Sequence, residues 1–102
     1  MREKYNLPNP HPGETLLEDF MKPLGLTAYR VGTDIKVPIN RIDAIIAGKR
    51  GITPDTALRL GAYFKTGPEL WLNLQSHYDL MEVKRKGIPD IAPCKKLDEK
   101  AA

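Results

Sequence analysis

Three observations on this 102-residue chain predict an all-α fold. Apolar side chains recur three and four residues apart from residue 16 to residue 81, the period of helices laid on one core. Proline and glycine punctuate those runs at intervals suited to short helices. Residues 27–52, TAYRVGTDIKVPINRIDAIIAGKRGI, read as a helix, a tight turn and a second helix, the form of a helix-turn-helix whose second helix enters the DNA major groove.

The elements follow in order. After a proline-rich lead over residues 1–10, His11-Pro12-Gly13 opens the first helix. Leu16, Phe20 and Leu24 form its stripe with Leu17 and Met21 beside them, Glu14, Glu18 and Asp19 favour its N-terminal half, and Pro23 and Gly25 end it. Thr27 caps a second helix that turns Ala28, Val31 and Ile35 inward, with Gly32 where neighbouring helices should come close. Lys36 falls in the turn. The third helix starts at Pro38 as its first helical residue, buries Ile42, Ile45 and Ile46, and stops at Gly48. Thr53-Pro54-Asp55 opens a fourth, with Ala57, Leu60, Gly61 and Phe64 inward. Gly67-Pro68-Glu69 opens a fifth, carrying Leu70, Trp71, Leu74, Tyr78 and Met81. The only β-like stretch, VPI at 37–39, is overruled by the helical period on both sides. Five helices over residues 11–86 and a loose tail over 87–102 are therefore expected, as one domain.

Composition narrows the function. A single cysteine, Cys94, permits no internal disulfide and no CxxC zinc site. The first residues lack the apolar run of a signal peptide and no stretch reaches membrane-spanning length, so a cytoplasmic protein is expected, with no membrane partner. Residues 27–53 hold Arg30, Lys36, Arg41, Lys49 and Arg50 against Asp34 and Asp43, an excess of three that equals the +3 of the whole chain. Charge concentrated in one segment of a balanced domain suits phosphate binding.

The exposed start of the third helix supplies the candidate base readers Ile39, Asn40, Arg41, Asp43 and Ala44. Arg41 can fork onto guanine O6 and N7, and Asn40 can pair with adenine N6 and N7, each such contact giving roughly 1–3 kcal/mol of discrimination. Ile39 or Ala44 suits a thymine methyl. Phosphate contacts are expected from Thr27, Tyr29, Arg30, Lys36, Lys49 and Arg50, and from the amide end of the fourth helix at Thr53.

Other functions find less support. A protein-interaction module could use the basic segment against an acidic partner, but it has no need of an amide and a guanidinium side by side on one helix start. Catalysis lacks its parts. His11 and His77 are the only histidines, Glu14 and Glu18 are ordinary helix surface, Cys94 has no histidine near it in sequence, and GKRGIT lacks phosphate-loop spacing. No cofactor or metal is expected. Lys84-Arg85-Lys86 complements the dipole of the last helix or extends a surface for DNA or an acidic protein.

HPGETLLEDFMKPLGLT followed by INRIDAIIAGKRGITPDTALRLGAYFKTGPELWLNLQSHYDL closely resembles the HigA-type antitoxins, within the Cro/CI-like (lambda-repressor-like) helix-turn-helix group. The resemblance spans about residues 11–82, and its most specific strings are GKRGIT-x-DTALRL and FWLNLQ-x-x-YDL, the latter with Leu70 in place of its first aromatic. It implies a bacterial antitoxin that represses its own operon, binding operator DNA as a homodimer and neutralising a RelE-like ribonuclease toxin. Solitary regulators without a toxin also occur in the family. By position, Ile39, Asn40, Arg41 and Ala44 resemble its base readers, Thr27, Lys49 and Arg50 its phosphate holders, and Trp71 and Leu74 the core of its last helix. Two departures stand out. Lys36 occupies a turn position where glycine is common in the wider group, and Gly32-Thr33 replaces the commoner alanine and leucine, a mid-helix glycine costing about 0.5–1 kcal/mol relative to alanine.

Overall fold

A computed structural model describes residues 8–97, all of them in helices, turns or irregular segments, with no strand among them. The chain runs through α1 (Pro12–Thr15), a π-helical segment (Leu16–Met21), α2 (Ala28–Ile35), α3 (Ile39–Ile46), α4 (Pro54–Tyr63) and α5 (Pro68–Lys86). The five expected helices thus become six helical segments, because the first changes hydrogen-bond pattern at Leu16. A further helical turn occupies residues 95–97, within an exposed stretch from residue 83 onward. The expected lead and tail lie partly outside the described residues.

The first helix begins where His11 Nδ1 accepts the Gly13 amide at 2.9 Å, with Pro12 in the position that needs no amide donor. It then widens. The Lys22 amide reaches back five residues to the Leu17 carbonyl at 2.9 Å, the bonding of a π-helix. The wider turn places Leu16 and Met21 together in the core while Phe20 packs at its edge. Leu24, expected in the same stripe, is 64% exposed, because the chain has already left the helix at Lys22.

Left-handed residues stop the helices. Gly25 (φ 65°), Lys36 (φ 64°) and Gly48 (φ 74°) end the first three, and each is followed by an amide that reaches back five residues. Lys36 takes this conformation with a side chain, as the sequence requires. Thr27 caps α2 by accepting the Arg30 amide at 3.1 Å, and Thr53 caps α4 by accepting the Thr56 amide at 3.3 Å. Pro38 differs from expectation. Its ψ of 142° makes it the extended residue before α3, which begins at Ile39.

The core joins Leu16 and Met21 to Val31 and Ile35 of α2, Ile42 and Ile45 of α3, Leu60 of α4 and Trp71 of α5. Val37, from the short β-like stretch, is buried as a plug beneath the turn. Trp71 is fully buried against Phe20 and Phe64, at ring-centroid distances of 5.0 and 6.2 Å, and its indole N–H donates to Thr66 Oγ1 at 3.0 Å. It is the only fully buried residue of the 19 in α5, whose last turn stands clear of the core.

Two close approaches admit only glycine. A Cβ on Gly13 would lie 1.8 Å from the Ile45 carbonyl oxygen, and one on Gly61 would lie 2.3 Å from the Gly67 carbonyl carbon. Gly32 is less extreme, its Cβ meeting the Val37 carbonyl oxygen at 3.1 Å, so its neighbour is the turn and the start of α3. Replacing Gly61 with alanine should force α4 and α5 apart at their corner and cost about 1–3 kcal/mol. Urea unfolding measures this; an unchanged midpoint would show that the corner opens freely.

Candidate nucleic-acid interface

The helix-turn-helix is α2, the turn Lys36–Pro38 and α3. Ile42 and Ile45 bury one side of α3, which leaves Ile39, Asn40 and Asp43 exposed and Arg41 and Ala44 half-buried. The five expected base readers therefore sit on or beside the free face of one helix start. Ile39 is 44% exposed, enough for apolar contact with a base.

Arg41 has a more particular setting. Its side chain is three-quarters covered, and its Nε is buried with no hydrogen-bond partner. Its Nη1 lies 3.4 Å from Asp55 Oδ2, on the first turn of α4. The same carboxylate oxygen accepts from Arg59 Nε at 3.1 Å, and Arg59 Nη1 donates to the carbonyls of Ile35 and Lys36 at 2.8 and 3.1 Å. The start of α3, the turn before it and the start of α4 are thereby joined through three charged side chains. Sequence reading gave Asp55 only a helix-start role and gave Arg59 none, although their i, i+4 spacing on a helix was a visible signal.

The expected phosphate contacts divide into free and engaged groups. Lys36, Lys49 and Arg50 are exposed on the turn and on the loop after α3, and Tyr29 is 67% exposed. Arg30 pairs with Asp34 at 3.5 Å, and Asp34 also accepts from the Tyr63 hydroxyl, which raises the Tyr63 pKa. The hydroxyls of Thr27 and Thr53 serve their own helices, and that of Thr53 also donates to Thr56 Oγ1 at 3.2 Å.

The Lys49-Arg50 loop is docked onto α5. Gln75 Oε1 accepts the Ile52 amide at 2.7 Å, and its Nε2 donates to Asp79 at 3.0 Å. A Cβ on Gly51 would meet the Gln75 amide at 3.1 Å, so the loop lies flat on that side chain. His11 closes the other side, its ring edge-on to Tyr78 with centroids 4.9 Å apart and its Cγ 3.8 Å from where a Gly48 Cβ would stand. An open cleft between loop and helix is lined by His11, Lys49, Arg50, Gln75, Tyr78 and Asp79 among others. Gln75, Tyr78 and Asp79 all belong to the string that carries the resemblance, and here Gln75 holds the basic loop, Asp79 accepts from Gln75 and Tyr78 packs on His11.

Comparison with known proteins agrees with this architecture. No family model matches the chain. Virulence-associated protein I of Dichelobacter nodosus is 47% identical over 77 residues, covering 76% of this chain and 71% of its own. Antitoxin HigA-1 of Vibrio cholerae is 31% identical over 74 residues, covering 72% and 70%. The Pseudomonas aeruginosa antitoxin HigA, solved with the higBA promoter, superposes with a TM-score of 0.71 at 37% identity, covering 72% of this chain and 79% of its own. The chain belongs to the HigA-type antitoxin family.

Among its relatives are proteins named as antitoxins and as helix-turn-helix transcriptional regulators, none of which is named as an enzyme. A second Pseudomonas aeruginosa structure, of a protein in complex with its operator DNA, superposes with a TM-score of 0.77 at 30% identity and covers 92% of this chain. Among the described residues no group could hold a metal ion, and no helix is long and apolar enough to cross a membrane.

The His11 contact gives this HigA-type domain a pH dependence. Desolvation lowers the His11 pKa below its ordinary 6.5, outweighing the opposing charge of Asp79. Its Nδ1 must also remain a hydrogen-bond acceptor to cap α1. The folded state therefore binds fewer protons than the unfolded state just below pH 6.5, so His11 contributes stability above that value and loses it as pH falls through the lowered pKa. His11→Asn, which caps without titrating, should unfold with a flatter pH dependence between roughly pH 7.5 and 5. Parallel urea titrations of the two proteins read the difference; identical slopes would remove His11 as its source.

Proposed function

We propose that this protein is a sequence-specific DNA-binding antitoxin that, as a homodimer, represses its own operon and neutralises a RelE-like ribonuclease toxin. One observation carries the DNA half of this reading: Asn40 and Ile39 stand free at the start of a helix whose other side is locked into the core, between the exposed cations Lys36 and Lys49-Arg50. In a helix-turn-helix, that helix end meets base edges while flanking cations meet phosphates. The relatives solved with promoter or operator DNA support the same use of this surface. One module covers few base pairs, so pairing on two half-sites about one helical turn apart supplies the specificity a repressor requires.

The toxin half rests on family membership, which includes proteins named as antitoxins. Relatives named as transcriptional regulators favour a second reading, a regulator acting without a toxin. Both readings share the DNA surface.

Binding to the DNA upstream of the gene, measured across a salt series, tests that surface. Asn40→Ala should weaken operator binding about 5- to 100-fold and leave binding to scrambled DNA unchanged. Lys49→Ala should weaken both, reducing the slope of log affinity against log salt by about one. A wild-type protein with no preference for its own upstream DNA at any salt would sink the repressor reading.

A further inference from the structure

We propose that Asp55 is a positioning residue for DNA reading, holding the Arg41 guanidinium in the orientation in which it meets a base. The inference rests on the DNA-binding reading above and adds a residue that would touch no base itself. Arg41 emerges from α3 with the Nε of its guanidinium buried and unpartnered, so that nitrogen does not fix the group. The Asp55 carboxylate at 3.4 Å does so instead.

Asp55 is itself held. Its Oδ2 takes Arg59 Nε at 3.1 Å, and Arg59 is anchored by two carbonyls at the end of α2 and in the turn. A free arginine loses considerable rotamer freedom when it engages a base. An arginine already held by a fixed carboxylate loses less, and it rejects bases that its set geometry does not match. The arrangement also resolves a charge conflict. A carboxylate on a phosphate-facing surface opposes binding to any DNA, and two guanidiniums offset this one.

Positioning and simple structural support predict different signs. If Asp55 only stabilised the fold, its loss would weaken binding to every duplex. If it positions Arg41, Asp55→Asn loses operator affinity while scrambled-DNA affinity stays level or rises, because a negative charge has gone.

The experiment measures operator and scrambled-duplex affinities at fixed salt for four full-length proteins: wild type, Asp55→Asn, Arg41→Ala and the double variant. Asp55→Asn should lower the operator-to-scrambled ratio about threefold to tenfold in the wild-type background and leave it unchanged in the Arg41→Ala background. Asp55→Glu, which keeps the carboxylate, should recover part of the loss. Selection from randomised duplexes should show Asp55→Asn and Arg41→Ala relaxing the same base pair. Should Asp55→Asn fold poorly, Asp55→Ser, a residue suited to a helix start, replaces it in the same cycle. An unchanged ratio in Asp55→Asn, or an equal loss with and without Arg41, overturns the positioning role while leaving DNA binding intact. Absence of any wild-type preference overturns both readings together.

Discussion

Between α2 and α3 the chain reverses over three residues, and the reversal leaves two carbonyls, those of Ile35 and Lys36, beyond the reach of amide donors in the turn. Arg59, arriving from α4, donates to both. The turn and the Arg41 side of the candidate interface depend on this contact. It ties the end of α2 and the turn to α4 and holds the carboxylate that meets Arg41. Exposed ion pairs on a small domain are worth about 1 kcal/mol or less. Arg59 differs because its planar fork spans two acceptors and an anion at once, and lysine could not reproduce that geometry.

The hydrophobic core supplies a different kind of constraint. Ile42 and Ile45 seat α3, and Gly13 lets α1 press directly against the last turn of the same helix. Helix α3 is thus held by packing along its buried side, by the turn at its start and by α1 at its end. At the other side of the domain, Phe20, Phe64 and Trp71 fasten α5 to the rest. Removing a large buried aromatic such as Trp71 costs about 3–5 kcal/mol, a large share of the stability of a domain this small. Through Gln75 the same helix carries the Lys49-Arg50 loop, so the aromatic cluster reaches the candidate interface indirectly.

Much of this was legible in the sequence, for physical reasons. Threonine caps, prolines and αL residues act within a few positions of themselves, so Thr27, Thr53, Gly25 and Gly48 mark their helix ends correctly. The isoleucines of α3 declare its buried side by spacing alone, and with it the exposed side where Asn40 stands. Pro38 shows the limit of a local rule, since proline suits both the first helical position and the extended residue before it. What escaped reading was long-range. Arg59 lies 24 residues from Ile35 and Gln75 lies 23 from Ile52, and no period connects partners on different helices. Arg41 was visible as a candidate reader, but its carboxylate partner was not.

The π-helical segment also eluded the sequence, since a period of 3.6 fits its apolar residues nearly as well. By taking five residues where an α-turn closes with four, it rephases the helix around its own axis. Pro12 and Gly13 before it, Leu16 at its start and Met21 at its end are therefore buried together, although their spacing would otherwise turn them apart. The helix can be read as an ordinary one carrying a one-residue surplus, absorbed in a single turn instead of being spread along the chain. At residues 17–20 a change of register and a change of composition therefore have separate effects. A deletion there and a substitution there are different perturbations: one rotates Pro12 and Gly13 away from α3, the other merely changes what is packed beside it.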